Sequence, residues 1–494
     1  MSSPAATLAS PPAVPASAEV PRRVDTSVDR RVAFIAFIAF VAAGAALRIW
    51  RAAANGLSYD ESFTAMAARL SPGRLFDFLR VADTHPPLDY LVRSPFAATG
   101  ASDFALRLPS LLFSIGALAL FAWWMRSRGT TGLVAVGLFA ASPFLVLHGG
   151  EARMYALLQL LGVAGACLAE ARLRSPQAWH NWAAAGIVGI ACLDHVSGIL
   201  LAAGMFVVVG VGRRRADWVW RAAVAGGVAV WAALWGPTFL DQAGHDWAGW
   251  IPPTSVSAFV DAVGGQVTNF VAVRVLVTVA VAAGGWVIWR RDRPLGRVWL
   301  ACGALPFVLA AVIGLVSPFL LDRTLTVASW APALALGALA DAAVRRSRRG
   351  ASSPRSRVTT VAVWAAVALV ALGAVSAVAA TDEDTDQAIA HLEAVVAPGD
   401  VILTRPARYA TLADYRIAVQ QWGRAVHVAA SGIDDAAGVR EAAAASTGRW
   451  WLLTPVGSRS SFTGWRSCPS TRSWTDGVTE IRCLEPVPHS SGSS

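Results

Sequence analysis

Apolar positions along the chain gather into long blocks separated by short polar connections. The blocks lie at roughly 32–50, 106–125, 131–148, 154–171, 180–194, 196–212, 218–239, 270–289, 298–318, 324–341 and 358–379. Each is near the length an α-helix needs to cross about 30 Å of hydrocarbon. The predicted fold class is therefore mainly α: a polytopic membrane protein with about eleven transmembrane helices over 32–379. The first block is long for a signal-peptide core and Arg51 follows it directly, so it reads as an uncleaved span despite the small residues Ala45 and Ala46. Residues 1–31 are rich in Pro, Ala and Ser and read as a disordered tail.

Arginine sets the orientation. Arg126 and Arg128, Arg172 and Arg174, Arg213 to Arg215, Arg290 to Arg297, and Arg345 to Arg357 fall on alternate loops. The positive-inside bias makes that side cytoplasmic, together with the N-terminus. An odd number of spans then puts the C-terminal segment outside, in a bacterial plasma membrane. Two connections on the outer side exceed what a turn needs, 52–105 and 240–269, and long loops tend to carry function.

Beyond the last block, residues 380–489 change character. Ile389, Leu392, Val395 and Val396 are at helical spacing, and short apolar runs recur at 401–403, 426–428 and 450–453. That alternation predicts a small extracytoplasmic α/β domain, followed by a polar tail at 490–494.

Composition narrows the class further. Of 494 residues 55% are hydrophobic and only 15% charged, against about a quarter charged in soluble chains. The net charge of +10 comes wholly from arginine and is explained by loop topology, so no nucleic-acid partner is expected. The five cysteines show no C-x-x-C spacing. Cys167, Cys192 and Cys302 sit in apolar runs as small hydrophobes, whereas Cys468 and Cys483 could pair if their segment faces an oxidising compartment.

Candidate chemistry collects at the outer ends of the blocks. Asp60-Glu61 follows the first span; on spacing alone such a pair is more often a helix cap than a catalytic pair. Asp83-Thr84-His85-Pro86-Pro87-Leu88 holds His85 in a rigid turn. Arg107-Leu108-Pro109-Ser110 opens the second span, where snorkelling would also explain the arginine. Glu151-Ala152-Arg153-Met154-Tyr155 opens the fourth, with Glu151 and Arg153 too close in sequence to pair on one helix face. Asp194-His195 ends the fifth.

Taken together and in this order, these motifs resemble the protein mannosyltransferase-like family of polyprenyl-phosphate-dependent glycosyltransferases, of the multi-spanning C-type superfold. The resemblance covers roughly 32–340 and departs at Asp322-Arg323-Thr324, where family members often carry Arg-Tyr. It implies transfer of a sugar, mannose by the family's default, from a polyprenyl-phosphate donor to a cell-envelope glycan, lipid or protein; the arginine-only, alanine-rich composition adds arabinofuranose as a second candidate sugar. Asp60 would be the general base of a single inverting displacement, and Glu61 would orient the acceptor or neighbouring backbone. Arg153 and Arg323 would hold the departing phosphate, since a guanidinium fork binds two oxygens. His85, Arg107, Glu151, Tyr155 and His195 would complete the donor pocket, and His245, Trp247 and Trp250 in the 240–269 loop would form a lid.

Asp60, Glu61 and His85 do not make a complete ligand set, so no metal is assigned, and a divalent cation stays open as cofactor. A transporter or flippase would place ionisable residues at span midpoints. Here they cluster at span ends, which favours chemistry over transport. A carrier-binding scaffold without catalysis is the other rival, and Asp60 speaks against it.

Overall fold

The computed structural model describes residues 26–54, 56–97, 102–210, 214–243 and 251–349, short stretches between 368 and 404, and 427–430, 449–455, 465–468, 473–475 and 479–486. The first apolar block forms α1 (Thr26–Ala54). The polar loop that follows is itself helical: α2 (Tyr59–Ala68), α3 (Pro72–Ala82) and α4 (Leu88–Ala97). Pro72 starts α3, where a missing N–H costs nothing, and Pro86-Pro87 separates α3 from α4.

The bundle continues through α5 (Asp103–Met125), α6 (Gly129–Ala141), α7 (Pro143–Gly149), α8 (Tyr155–Arg174), α9 (Ala178–Asp194) and α10 (Gly198–Val207). Then come α11 (Arg215–Ala243), α12 (Val256–Gly264), α13 (Arg274–Arg291), α14 (Arg293–Val298), a π-helical turn (Trp299–Ala304), α15 (Leu305–Ile313), a 3-10 turn (Arg323–Ala328) and α16 (Trp330–Arg349). Among the described residues six helices are long and apolar enough to cross a membrane, or seven if α6 and α7 count as one bent span. The expected spans at 180–194, 196–212 and 324–341 are the helices α9, α10 and α16; α9 and α10 are short, and α16 carries arginines within the helix. The block at 358–379 lies mostly outside the described residues, as do the tails at 1–25 and 487–494.

The break between α6 and α7 has a clear cause. Pro143 has no N–H to give the carbonyl of Phe139, and the two helices meet at 52°. Arg48 of α1, fully buried, repairs the gap by donating to the carbonyls of Phe139 (3.4 Å), Ala140 (2.9 Å) and Gly44 (2.9 Å) and to Ser114 Oγ (2.8 Å). Backbone freed inside an apolar layer has to be satisfied by protein, and one guanidinium does most of it here.

At one end of the bundle the arginines anticipated on alternate loops interlock with acids. Glu170 on α8 accepts from Arg128 (2.6 Å) and Arg174 (2.7 Å), and Arg174 also reaches Asp292. Arg172 pairs with Asp217 of α11 (3.2 Å), while Asp341 on α16 takes Arg291 (2.8 Å) and Arg345 (2.7 Å). Close helix contacts rest on glycine elsewhere: a Cβ on Gly162 of α8 would stand 1.9 Å from the carbonyl oxygen of Val327.

The C-terminal segment contains a sheet of β1 (Val401–Thr404), β2 (His427–Ala430), β3 (Trp450–Pro455), β4 (Trp465–Ser467), β5 (Trp474–Thr475) and β6 (Thr479–Pro486). Its order is β2-β1-β3-β6-β4, with β5 also on β6. β1 pairs in parallel with β2 and β3, and β6 runs antiparallel to β3. Leu392 and Val396 pack beside Ile402, Trp451, Leu453, Ile481 and Cys483. Asp400 ties the start of β1 to β3, accepting from the N–H groups of Ala397 and Arg449 and from Trp451 Nε1. Cys468 and Cys483 are joined by a disulfide with Cα atoms 5.4 Å apart.

Candidate active site

At the end of the bundle remote from those arginine–acid pairs, α2 begins with a reciprocal cap. Ser58 Oγ accepts from the N–H of Glu61 (3.3 Å), and Glu61 Oε2 accepts from the N–H of Ser58 (2.8 Å). The Glu61 carboxylate then takes Arg107 of α5 through two 2.7 Å hydrogen bonds and the N–H of Ala152 through a third. Arg107 also donates to the carbonyls of Ala52 (3.0 Å) and Gly56 (2.6 Å). Glu61 is 1% and Arg107 2% exposed, so this arginine is locked in protein and does not snorkel. Burial works to raise the Glu61 carboxyl, but the Arg107 charge and hydrogen bonds hold it below the ordinary carboxylate range.

Asp60, one residue earlier, takes the opposite role. Its carboxylate keeps 39% of its side-chain surface exposed, and Arg323 Nη1 lies 3.4 Å from Oδ2. Its carbonyl accepts from Arg153 Nη1 (3.2 Å) and Thr64 Oγ1 (2.9 Å), and Arg153 also donates to Thr64 Oγ1 (2.9 Å). Arg153 Nε is buried with no hydrogen-bond partner among the described residues. The backbone under Arg153 is fixed by another arginine. Arg93 Nη2 donates to the Arg153 carbonyl (2.9 Å), while Arg93 is itself held by Asp89 (2.8 and 2.9 Å), Ser110 Oγ (2.7 Å) and the Leu106 carbonyl (2.9 Å). The first arginine is thus aimed by the second.

A row of rings closes one side. The His85 and His195 centroids are 4.7 Å apart, Tyr155 is 6.3 Å from His195, and His148 is 5.1 Å from Tyr155. His195 is oriented by Ser197, whose N–H is 3.0 Å and whose Oγ is 2.8 Å from Nδ1. Glu151 pairs with His148 (2.9 Å), as its spacing from Arg153 required some other partner. His85 Nδ1 is buried without a hydrogen bond among the described residues. Burial, helped by the nearby Arg153 cation, pushes His85 down to about 3, so the ring is neutral at ordinary pH. The turn that carries it is pinned from α11: Gln242 Nε2 donates to the carbonyls of Asp83 (2.6 Å), Leu79 (3.0 Å) and Arg80 (3.2 Å). Asp83 is engaged by the Tyr90 hydroxyl and the N–H of Thr84, and burial raises its carboxyl.

The structure therefore gathers Asp60, Glu61, His85, Arg107, Glu151, Arg153, Tyr155, His195 and Arg323 at one end of the bundle. They divide by contact. Asp60 and Arg323 keep exposed surface, and Arg153 Nε and His85 Nδ1 meet no hydrogen-bond partner among the described residues, whereas Glu61 and Arg107 are consumed by each other and by backbone. His245, Trp247 and Trp250 lie outside the described residues. Among the described residues no three His, Cys, Asp or Glu side chains are arranged to hold a metal ion, and Glu61 turns away from Asp60 and His85. Sequence reasoning passed over His148, Thr64 and Arg93. The spacing of Thr64 from Asp60 and of His148 from Glu151, one helical turn each, was the available signal.

No protein-family model matches the chain, and a comparison with curated proteins gives no match. Solved structures do match. ArnT from Cupriavidus metallidurans bound to undecaprenyl phosphate superposes with a TM-score of 0.57 at 14% identity, covering 90% of this chain and 97% of that one. The same protein in its apo state gives 0.59 at 12% identity with the same coverage. The likeness covers 90% of this chain, and the chain has the multi-spanning, mainly helical fold of ArnT, as its motifs led one to expect.

Proposed function

We propose that this chain is a membrane glycosyltransferase that takes a sugar from a polyprenyl-phosphate donor and passes it to an acceptor of the cell envelope. The observation that carries the proposal is the juxtaposition of a partly exposed carboxylate, Asp60, with two guanidinium groups, Arg153 and Arg323, the Nε of Arg153 being buried with no partner among the described residues. The fold shared with a protein seen bound to undecaprenyl phosphate supports the choice of lipid carrier.

Glycosyl transfer from a phosphate requires two things at once. A base must take the proton of the attacking hydroxyl, and positive charge must receive the negative charge left on the phosphate. Asp60 is the base in this reading. Attack on the anomeric carbon breaks its bond to the phosphate oxygen, and Arg153 and Arg323 hold the departing phosphate. His85, neutral and with an Nδ1 that meets no partner among the described residues, hydrogen-bonds the sugar or phosphate together with His195, and Tyr155 walls the pocket. Glu61 and Arg107 act on the reaction through the backbone they fix. In this reading the site faces the extracytoplasmic side and the sugar is mannose or arabinofuranose.

The test compares membranes containing the wild type with membranes containing Asp60→Asn, each supplied with a panel of radiolabelled polyprenyl-phosphate sugars. Transfer of one sugar by the wild type, reduced by about two to four orders of magnitude in an equally abundant variant, is the expected result. An Asp60→Asn variant as active as wild type removes Asp60 from the role of base. No transfer from any donor by folded wild type overturns the enzyme reading.

A further inference from the structure

At the arginine–acid end of the bundle, one corner gathers several arginines that stand outside the pattern of paired charge. Four charged residues in a row join α13 to α14. The middle two make ion pairs: Arg291 donates to Asp341, and Asp292 receives Arg174 and caps the N–H of Leu295. The outer two do not. The Arg290 guanidinium lies over the Trp286 ring, 5.5 Å from its centroid, and Arg293 lies over Trp289 at 4.6 Å. Among the described residues no carboxylate pairs with either, and both are exposed, as is Arg297 one turn further on. Stacking on an indole fixes the plane of a guanidinium and leaves its N–H edges directed outward, where they match phosphate oxygens.

The face below this corner says what carries the phosphate. Leu276, Val279, Ala283, Trp286 and Arg290 follow one another at spacings of three and four residues, so they form one stripe along α13. Leu276 is 69%, Val279 63% and Trp286 59% exposed. The stripe is apolar along most of its length, reaches an indole at the depth where tryptophan marks the membrane interface, and ends in a guanidinium. A soluble anion would use only the last element. A phospholipid uses all of it, with its acyl chain on the aliphatic positions and its phosphate between Arg290 and Arg293.

We infer that the α13–α14 corner is a binding site for an anionic phospholipid headgroup, built from the Trp286–Arg290 and Trp289–Arg293 stacks. It lies at the opposite end of the bundle from Asp60 and does not depend on the reaction proposed above.

The experiment uses the full-length protein in micelles that contain phosphatidylglycerol and phosphatidylcholine in equal amounts. Native mass spectrometry counts the lipids that stay bound, and thermal unfolding reports whether each variant is folded. Wild type is expected to retain phosphatidylglycerol in preference. Arg290→Ala/Arg293→Ala is expected to lose about thirtyfold in that affinity, from about 1 kcal/mol per arginine near an anionic surface and 1.4 kcal/mol per factor of ten. Arg290→Lys/Arg293→Lys, which keeps the charge and gives up the planar fork, is expected to fall between the two. Equal retention of both lipids by wild type, or unchanged preference in a folded double-alanine variant, overturns the inference. Competition by glycerol phosphate at concentrations matching the lipid also overturns it, because the apolar stripe would then contribute nothing.

Discussion

Removing the Glu61 carboxylate should be among the costliest single changes this bundle can suffer. In Glu61→Ala, Arg107 stays at 2% exposure with its charge uncompensated, and breaking a buried ion pair from one side costs about 3–5 kcal/mol. The N–H groups of Ser58 and Ala152 lose their acceptor as well, at about 1–3 kcal/mol each where water cannot replace it. The sum exceeds about 5 kcal/mol, comparable to the whole stability of many domains. The double variant Glu61→Met/Arg107→Met removes both charges at similar volume and should recover the ion-pair part, leaving the unmet backbone groups. Detergent-solubilised protein titrated with SDS and followed by tryptophan fluorescence gives all four corners of the cycle. A Glu61→Ala cost below about 1 kcal/mol, or a double variant as damaged as the two singles added together, would refute the reasoning.

Three further outcomes are expected. Gly162→Ala drives a methyl group onto the Val327 carbonyl; overpacking of this kind costs about 1–3 kcal/mol. The 3-10 turn that begins at Arg323 must shift with it, so donor KM should rise, and a variant with wild-type stability and KM would contradict the packing. His85, pushed down to about 3 from near 6.5, binds its proton more readily when the chain is unfolded, so its contribution is complete above about pH 6.5 and is lost as the pH falls toward 3. Unfolding of wild type and His85→Gln between pH 4 and 7.5 should converge toward acid, and parallel curves would rule this out. Cys468→Ser/Cys483→Ser opens a loop across a sequence separation of 15 and should cost about 3 kcal/mol. Faster hydrogen exchange should then appear in β3 and β6 with the bundle unchanged, and exchange equal to wild type would count against a stabilising bridge.

Blocks of apolar residues and the alternation of arginine gave away the bundle because both follow from the solvent, which treats every span alike. Span limits were harder, since Pro143 breaks one block into two helices and α10 ends after ten residues. The dipeptide Asp60-Glu61 shows where local reading stops. Adjacent side chains on a helix diverge by about 100°, so one carboxylate is buried against α5 and the other opens to the site. Which is which depends on Arg107, 46 residues away. Ser58-x-x-Glu61 did carry its own cap signature. Arg48 gave no signal because its partners are mostly carbonyls, which every sequence position supplies, whereas Arg93 had a visible partner in Asp89 one turn back and an invisible one in the Arg153 carbonyl. In the C-terminal segment the apolar runs marked β1, β2 and β3, while β6 went unseen. Its Ile481 and Cys483 alternate with Glu480 and Arg482, and a search for continuous apolar runs passes over such a strand.

The interlocked charges opposite the site have a consequence for how the molecule comes to exist. As spans enter a bilayer, unpaired arginines in short loops decide which side each loop stays on. In the finished bundle Glu170, Asp217, Asp292 and Asp341 have captured Arg128, Arg172, Arg174, Arg291 and Arg345. The information that steered insertion is thereby turned into cross-links between helices. A span placed the wrong way round would strand its arginines on one side and their acids on the other. Misinserted chains would therefore lack the clamps that hold the arginine-rich end together and would be marked for quality-control proteases by looseness there, whatever the state of the end that carries Asp60.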